Sequence, residues 1–126
     1  MEEENRIATQ IIGAAIDVHR ELGPGLLESA YSICLTQELR DRGLAVEKEK
    51  TLPVVYKGKD VDCDYRIDLL VENLVVVEIK AVGIVMPIHQ AQTLTYLKLS
   101  KKRLGLLINF NEALVKDGIS RIINTH

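Results

Sequence analysis

Only 2 cysteines occur in 126 residues, and Cys34 and Cys63 are too far apart for any zinc spacing. A disulfide framework and a cysteine-ligated zinc are therefore excluded, and both thiols are read as reduced. No apolar run approaches the length of a bilayer crossing, so a transmembrane helix is excluded although 47% of the residues are hydrophobic. The opening Met-Glu-Glu-Glu-Asn has neither the cationic start nor the apolar segment of a secretory leader, and the expected location is the cytoplasm. Neither sign of charge dominates: 16 Lys and Arg stand against 18 Asp and Glu, a net charge of −2, which gives no global attraction to nucleic acid. Nucleic-acid contact would have to rest on local patches, of which two are visible: Lys48, Lys50, Lys57 and Lys59, then Lys98, Lys101, Lys102 and Arg103. Taken alone, each is equally the solvated charge of strand edges and helix ends. Repeats and low-complexity segments are absent. At 14.1 kDa the chain is expected to form one domain over 1–126, with its core from about 6 to 124, large enough to bury a real core without cross-links.

What is present is a clear succession of periodicities. Ile7, Ile11, Ala14 or Ala15, Val18 and Leu22 recur at helical spacing and predict an amphipathic helix from about Arg6 to Leu22, stopped by Gly23-Pro24-Gly25. His19 and Arg20 fall in its last turn, where positive charge suits the helix dipole. A second helix is predicted from about Leu26 to Arg42, with Leu27, Tyr31, Cys34, Leu35 and Leu39 inward and Gly43 ending it. Short strands follow at Ala45 to Lys50 and Leu52 to Tyr56, broken at Pro53, with a turn at Lys57-Gly58-Lys59 before a strand from Val61. Pro87 opens a further helix to about Ser100, Leu104 to Phe110 reads as a strand buried on both faces, and Ile119, Arg121 and Ile123 alternate as an edge strand. This order predicts an α/β sandwich with a mixed central β-sheet flanked by helices.

The chemistry concentrates between Asp64 and Ala81. Asn73 separates two branched apolar runs, as a turn residue does between paired strands. Alternation puts Val75, Val77 and Ile79 on one face and Glu78 and Lys80 on the other, and separates Ile67, Leu69 and Val71 from Arg66, Asp68 and Leu70. A turn near Asn73 then sets Asp68 opposite or nearly opposite Glu78, with Lys80 alongside. Two carboxylates suit a hard divalent cation, Mg2+ or Mn2+, while a protonated lysine can orient a water or offset charge on a phosphoryl oxygen. The bland account is a solvated strand face, whose cross-strand pair contributes under about 1 kcal/mol. Asp60, Asp62 and Asp64 lack the glycine and closing glutamate of a calcium loop, and Asp64 is the fallback for Asp68.

Asp68 followed by Glu78-Ile79-Lys80 resembles the signature of the PD-(D/E)xK nuclease superfamily. The run Gly25-Leu26-Leu27-Glu28-Ser29-Ala30-Tyr31 resembles Gly-x-x-Glu-x-x-Tyr, the motif that names the GxxExxY family within it. Gln92-Thr-Leu-Thr-Tyr96 resembles the added motif of the RecB-like branch, with Gln90 as a rival on another stripe of the helix. The resemblance spans about Arg6 to Asn124 and implies a restriction-endonuclease-like fold. It also implies a magnesium-dependent nuclease acting on nucleic acid, DNA before RNA. By implication Glu28, Asp68 and Glu78 hold Mg2+ or Mn2+, with the backbone carbonyl of Ile79 as a further ligand. Lys80 would orient or activate the attacking water, Gln92 would brace that lysine or a phosphate, and Tyr96 would support it from behind. His89 is assigned to the edge of the site or the helix surface.

Two other classes fit the same residues: a non-catalytic nucleic-acid-binding or assembly module that keeps the fold, and a metal-dependent hydrolase of a small phosphorylated substrate. The first predicts no metal affinity at Asp68 and Glu78, and the second predicts an enclosed pocket. No membrane partner is expected, and a homodimer would supply contact surface that a single copy lacks.

Overall fold

The structure is a computed structural model describing residues 1–125. Two helices lead, α1 (Glu2–Leu22) and α2 (Glu28–Asp41). The strands are β1 (Val46–Tyr56), β2 (Lys59–Val71), β3 (Val75–Lys80), β4 (Leu104–Asn109) and β5 (Ile119–Ile123), and α3 (Pro87–Ser100) joins β3 to β4. All five strands form one sheet in the order β1-β2-β3-β4-β5. The pairs are antiparallel except β3 with β4, which α3 connects as a parallel crossover. The mixed sheet of the expected α/β sandwich is thus built by one crossover helix in a chain of hairpins.

The alternation of β3 and β4 divides the core. Val75, Val77, Ile79, Leu104, Leu106 and Ile108 pack under α1 and α2, together with Ile7, Ile11, Tyr31 and Leu35. On the other face Leu70 and Val76 pack with Tyr96 and Leu97 of α3. Helix α3 lies close to the sheet because Gly105 has no side chain: a Cβ there would stand 3.2 Å from Thr93 Cγ2 and 3.3 Å from Leu97 Cδ2.

Several local expectations are corrected. Helix α1 begins at Glu2, where Glu2, Glu3 and Glu4 favour the positive end of the helix dipole. Helix α2 begins only at Glu28, because Leu27 is the extended N-cap residue and is 77% exposed instead of inward. Pro53 does not break β1; the strand runs through it and accommodates a bulge between Pro53 and Val55. Ile67 does not share a face with Leu69. It packs on the α3 side with Leu70, and Leu52 lies there too although Val46, of the same parity, faces α1 and α2. The reason is a reversal at one register position. Glu49 lies opposite Asp68, between the pairs Lys48 with Leu69 and Lys50 with Ile67, and its φ of 52° is left-handed, which interrupts simple alternation.

Candidate active site

The β2–β3 loop is Glu72, Asn73 and Leu74, with φ of 53° and 55° at the first two and the Leu74 N–H donating to the Val71 carbonyl at 3.0 Å. It fixes the register Val71 with Val75, Leu70 with Val76 and Leu69 with Val77, where backbone pairing ends. The next position is Asp68 against Glu78, and here side chains enter the ladder. The Asp68 N–H donates to Glu78 Oε2 at 2.8 Å, and the Ile79 N–H donates to Asp68 Oδ2 at 2.7 Å. The second oxygens, Oδ1 and Oε1, have no protein partner among the described residues and are not sealed off from solvent. The Ile79 N–H turns toward β2, and in an extended strand the C=O of the same residue turns the same way, so the Ile79 carbonyl points into the fork between the strands.

Burial and mutual repulsion hold this pair against ionisation. Glu78, 5% exposed, has its pKa pushed up to about 8, mainly by burial and then by Asp68, while the Asp68 N–H and Lys80 oppose the shift. Asp68 is raised as well, first by burial, with Glu28 and Glu49 adding repulsion against the opposing bond from Ile79 and the charge of Lys80. Lys80 is half-buried and forms no side-chain hydrogen bond or ion pair among the described residues.

The Gly-x-x-Glu-x-x-Tyr run has a mechanical explanation. Tyr31 is fully buried, stacked on Phe110 with ring centroids 4.5 Å apart. Its hydroxyl donates to the Gly23 carbonyl at 2.5 Å and accepts from the Leu26 N–H at 3.1 Å. Gly25, at φ 101°, supplies the left-handed backbone that the loop needs. The tyrosine therefore latches the α1–α2 loop, and α2 starts at Glu28, whose charge reaches both Asp68 and Glu78.

Not every expected residue converges. Glu28 is exposed, and among the described residues no three His, Cys, Asp or Glu side chains are close enough to surround a metal ion by themselves. The carboxylates are thus a close pair, Asp68 and Glu78, and Asp68 lines with Glu28 a cavity of about 320 Å³ that Ser32, Lys48, Glu49 and Ile79 also line. Gln92 is exposed and touches neither Lys80 nor Tyr96 through a hydrogen bond. Tyr96 is buried, with its ring 5.9 Å from Tyr65, and its hydroxyl pKa is raised by burial first and then by Glu78 and Asp68. His89 caps its own helix, with Nδ1 accepting the Met86 N–H at 3.0 Å. Asp64 lies out along β1–β2 opposite Pro53, away from the pair.

Two contributors escaped the sequence reading. Glu49 gave no signal among alternating Glu and Lys. Asn109 did give one, a polar residue closing an apolar run. Fully buried, it accepts the Val82 and Asn111 N–H groups at 3.1 and 3.2 Å and donates to the Val82 carbonyl at 2.9 Å. That fixes the backbone two residues beyond Lys80.

A mixed sheet between α1, α2 and α3, with an aspartate and a Glu-x-Lys strand meeting where β2 and β3 part, defines a restriction-endonuclease-like α/β protein. The chain belongs to the PD-(D/E)XK nuclease superfamily, whose model matches residues 5–122. It is also similar to the crystal structure of SSO0001, with 23% identity, a TM-score of 0.55 and coverage of 77% of this chain. The chain spans half the length of that protein, and the likeness is one of fold. No curated protein matches the chain.

Proposed function

We propose that this protein is a metal-dependent nuclease that hydrolyses phosphodiester bonds of nucleic acid, DNA before RNA. The observation that carries the reading is the Asp68–Glu78 pair: two raised-pKa carboxylates, each tied to backbone through one oxygen and open through the other. Two partly desolvated carboxylates, each with one oxygen still open, fit a hard divalent cation, which prefers oxygen donors and removes the repulsion between them. Asp68 and Glu78, with Glu28 and the carbonyl of Ile79, would hold Mg2+ or Mn2+. Bound there, the ion would polarise the phosphate and neutralise charge on the leaving oxygen.

The chain's own residues supply the rest. Lys80 brings an unpaired cation beside the two carboxylates and orients the attacking water. Tyr96 walls the site on the α3 side, and Gln92 reaches a bound phosphate from the helix surface. Latching by Tyr31 of the loop that leads into Glu28 supports membership of the GxxExxY group, and Gln92 with Tyr96 on α3 supports the RecB-like branch. The whole domain would act in the cytoplasm, with both cysteines free; a homodimer would widen its contact with substrate.

The test is calorimetry with Mg2+ and Mn2+ on the parent, Asp68→Asn and Glu78→Gln, beside cleavage assays on single- and double-stranded DNA and RNA. Metal binding lost in both variants, and metal-dependent cleavage lost also in Lys80→Ala, is expected. Absence of binding at millimolar metal together with absence of cleavage would refute it and favour an assembly module.

A further inference from the structure

Strands β1 and β2 outrun the sheet. Strand β3 pairs with β2 only through Leu69–Val71, so from Thr51 and Arg66 outward the two strands are a ribbon with no third strand. Along β1 from Thr51 to the turn at Lys57 the ribbon extends roughly 20 Å at about 3.3 Å per residue. An isolated two-stranded ribbon is marginal in water, and this one exposes Val55 (57%), Tyr56 (63%), Val61 (45%) and Tyr65 (44%). Such a projection beside the carboxylate pair calls for a partner.

The register says what kind. Leu52 pairs with Tyr65 and both turn toward α3, with Leu52 in the α3-side core and the Tyr65 ring against Tyr96. Tyr56 has the same parity as Leu52 and pairs with Lys59, so both belong to that face, and Lys57 Nζ lies 5.4 Å from the centre of the Tyr56 ring. Lys50, paired with Ile67, shares the face but is neutralised there by Glu47, 3.3 Å away. Asp60, paired with Val55, and Asp64, paired with Pro53, fall on the opposite side together with Arg66, paired with Thr51, while Asp62, at φ 55°, sits within the register shift. Net charge over the ribbon is balanced, but its distribution is not. The tip carries Tyr56, Lys57 and Lys59, cationic and aromatic and complementary to a phosphate backbone, while Asp60 and Asp64 turn the other way.

We propose that the β1–β2 ribbon from Thr51 to Arg66 is an arm that grips duplex nucleic acid through its Tyr56–Lys59 face and leads it toward the Asp68–Glu78 pair. A major groove about 12 Å wide admits a two-stranded ribbon. Lys57 and Lys59 at the tip contact phosphates, while Tyr65, its ring 5.9 Å from Tyr96, joins the arm to the body of the domain. The choice of nucleic acid as partner rests on the nuclease reading, but the arm can be tested apart from catalysis.

The experiment measures anisotropy of a labelled duplex of about two helical turns, in EDTA, as a function of salt, for the parent, the double variant Lys57→Ala/Lys59→Ala, and Tyr56→Ala. The double variant is expected to lose about 1.8 from the slope of log affinity against log salt, two phosphate contacts at about 0.9 each. It should also bind at least about tenfold more weakly at low salt, with magnesium binding and hydrolysis of a small activated phosphodiester as in the parent. Affinity and slope equal to the parent's would overturn the arm, and so would failure of the parent to bind duplex at low salt. If metal binding and cleavage are absent while the lysines still govern duplex binding, the nuclease reading falls and the arm stands. If cleavage is present and the lysines are silent, the arm alone falls.

Discussion

Glu78→Gln should make the metal-free protein more stable at pH 8 and should flatten its pH dependence. Glu78 titrates near 8 in the folded chain against its ordinary 4.5, so between those values the folded state holds a proton that the unfolded chain has released. Stability therefore rises as pH falls through this window and is lost as pH rises through 8, at a rate approaching about 1.4 kcal/mol per pH unit for one proton. The full shift, taken at about 1.36 kcal/mol per unit, places an upper bound of roughly 5 kcal/mol on the destabilisation carried by the ionised carboxylate. Glutamine keeps an oxygen to accept the Asp68 N–H and has no charge to bury, so the variant should recover a large part of that amount. Urea denaturation in EDTA from pH 5 to 8.5, comparing parent and variant, reads the effect directly and subtracts the common contribution of the histidines. Magnesium should reverse the order: it should stabilise the parent more at pH 8 than at pH 6 and leave Glu78→Gln unmoved. Parallel pH curves for the two proteins in EDTA would refute the account of a dry carboxylate held by repulsion.

Other outcomes follow from the same geometry. Tyr31→Phe, which leaves the stack on Phe110 but removes both hydroxyl bonds, should cost about 1–3 kcal/mol in chemical denaturation; it should also lower cleavage by loosening the loop that leads into Glu28. Glu49→Gly should raise stability by about 1 kcal/mol, since glycine adopts the left-handed backbone without strain. Lys80→Ala should abolish cleavage while shifting folding stability by less than about 1 kcal/mol near pH 6, because the lysine has no bonded partner to lose; at pH 8 in EDTA the variant should fall further, since the charge that offsets Asp68 and Glu78 is gone. Asn109→Leu should destabilise by about 1–3 kcal/mol through the unpaired Val82 and Asn111 backbone groups, read by denaturation and by faster exchange of the Val82 amide.

The sequence by itself determined the elements and the meeting of Asp68 with Glu78. Helical and alternating periodicities are local, and so is the turn at Glu72-Asn73-Leu74, which brings the strands on either side back together with Asp68 against Glu78. Helix α3 could be bounded from Pro87 to Ser100 for the same reason: proline sets its start. Tertiary structure decided what those residues do to one another. That Ile67 turns away from Leu69 depends on a left-handed Glu49 on a neighbouring strand, which period-2 alternation does not register. That Leu27 is exposed while Tyr31 is buried depends on the stack with Phe110, nearly eighty residues on. The raised pKa of Glu78 is likewise a product of packing, because a carboxylate's desolvation is set by the elements closing over it and not by its chain neighbours. The separation of Glu28 and Gln92 from the carboxylate pair has the same origin: spacing gives the face of a helix, but its distance from the sheet is fixed only when Gly105 and the Tyr31 stack bring the layers together.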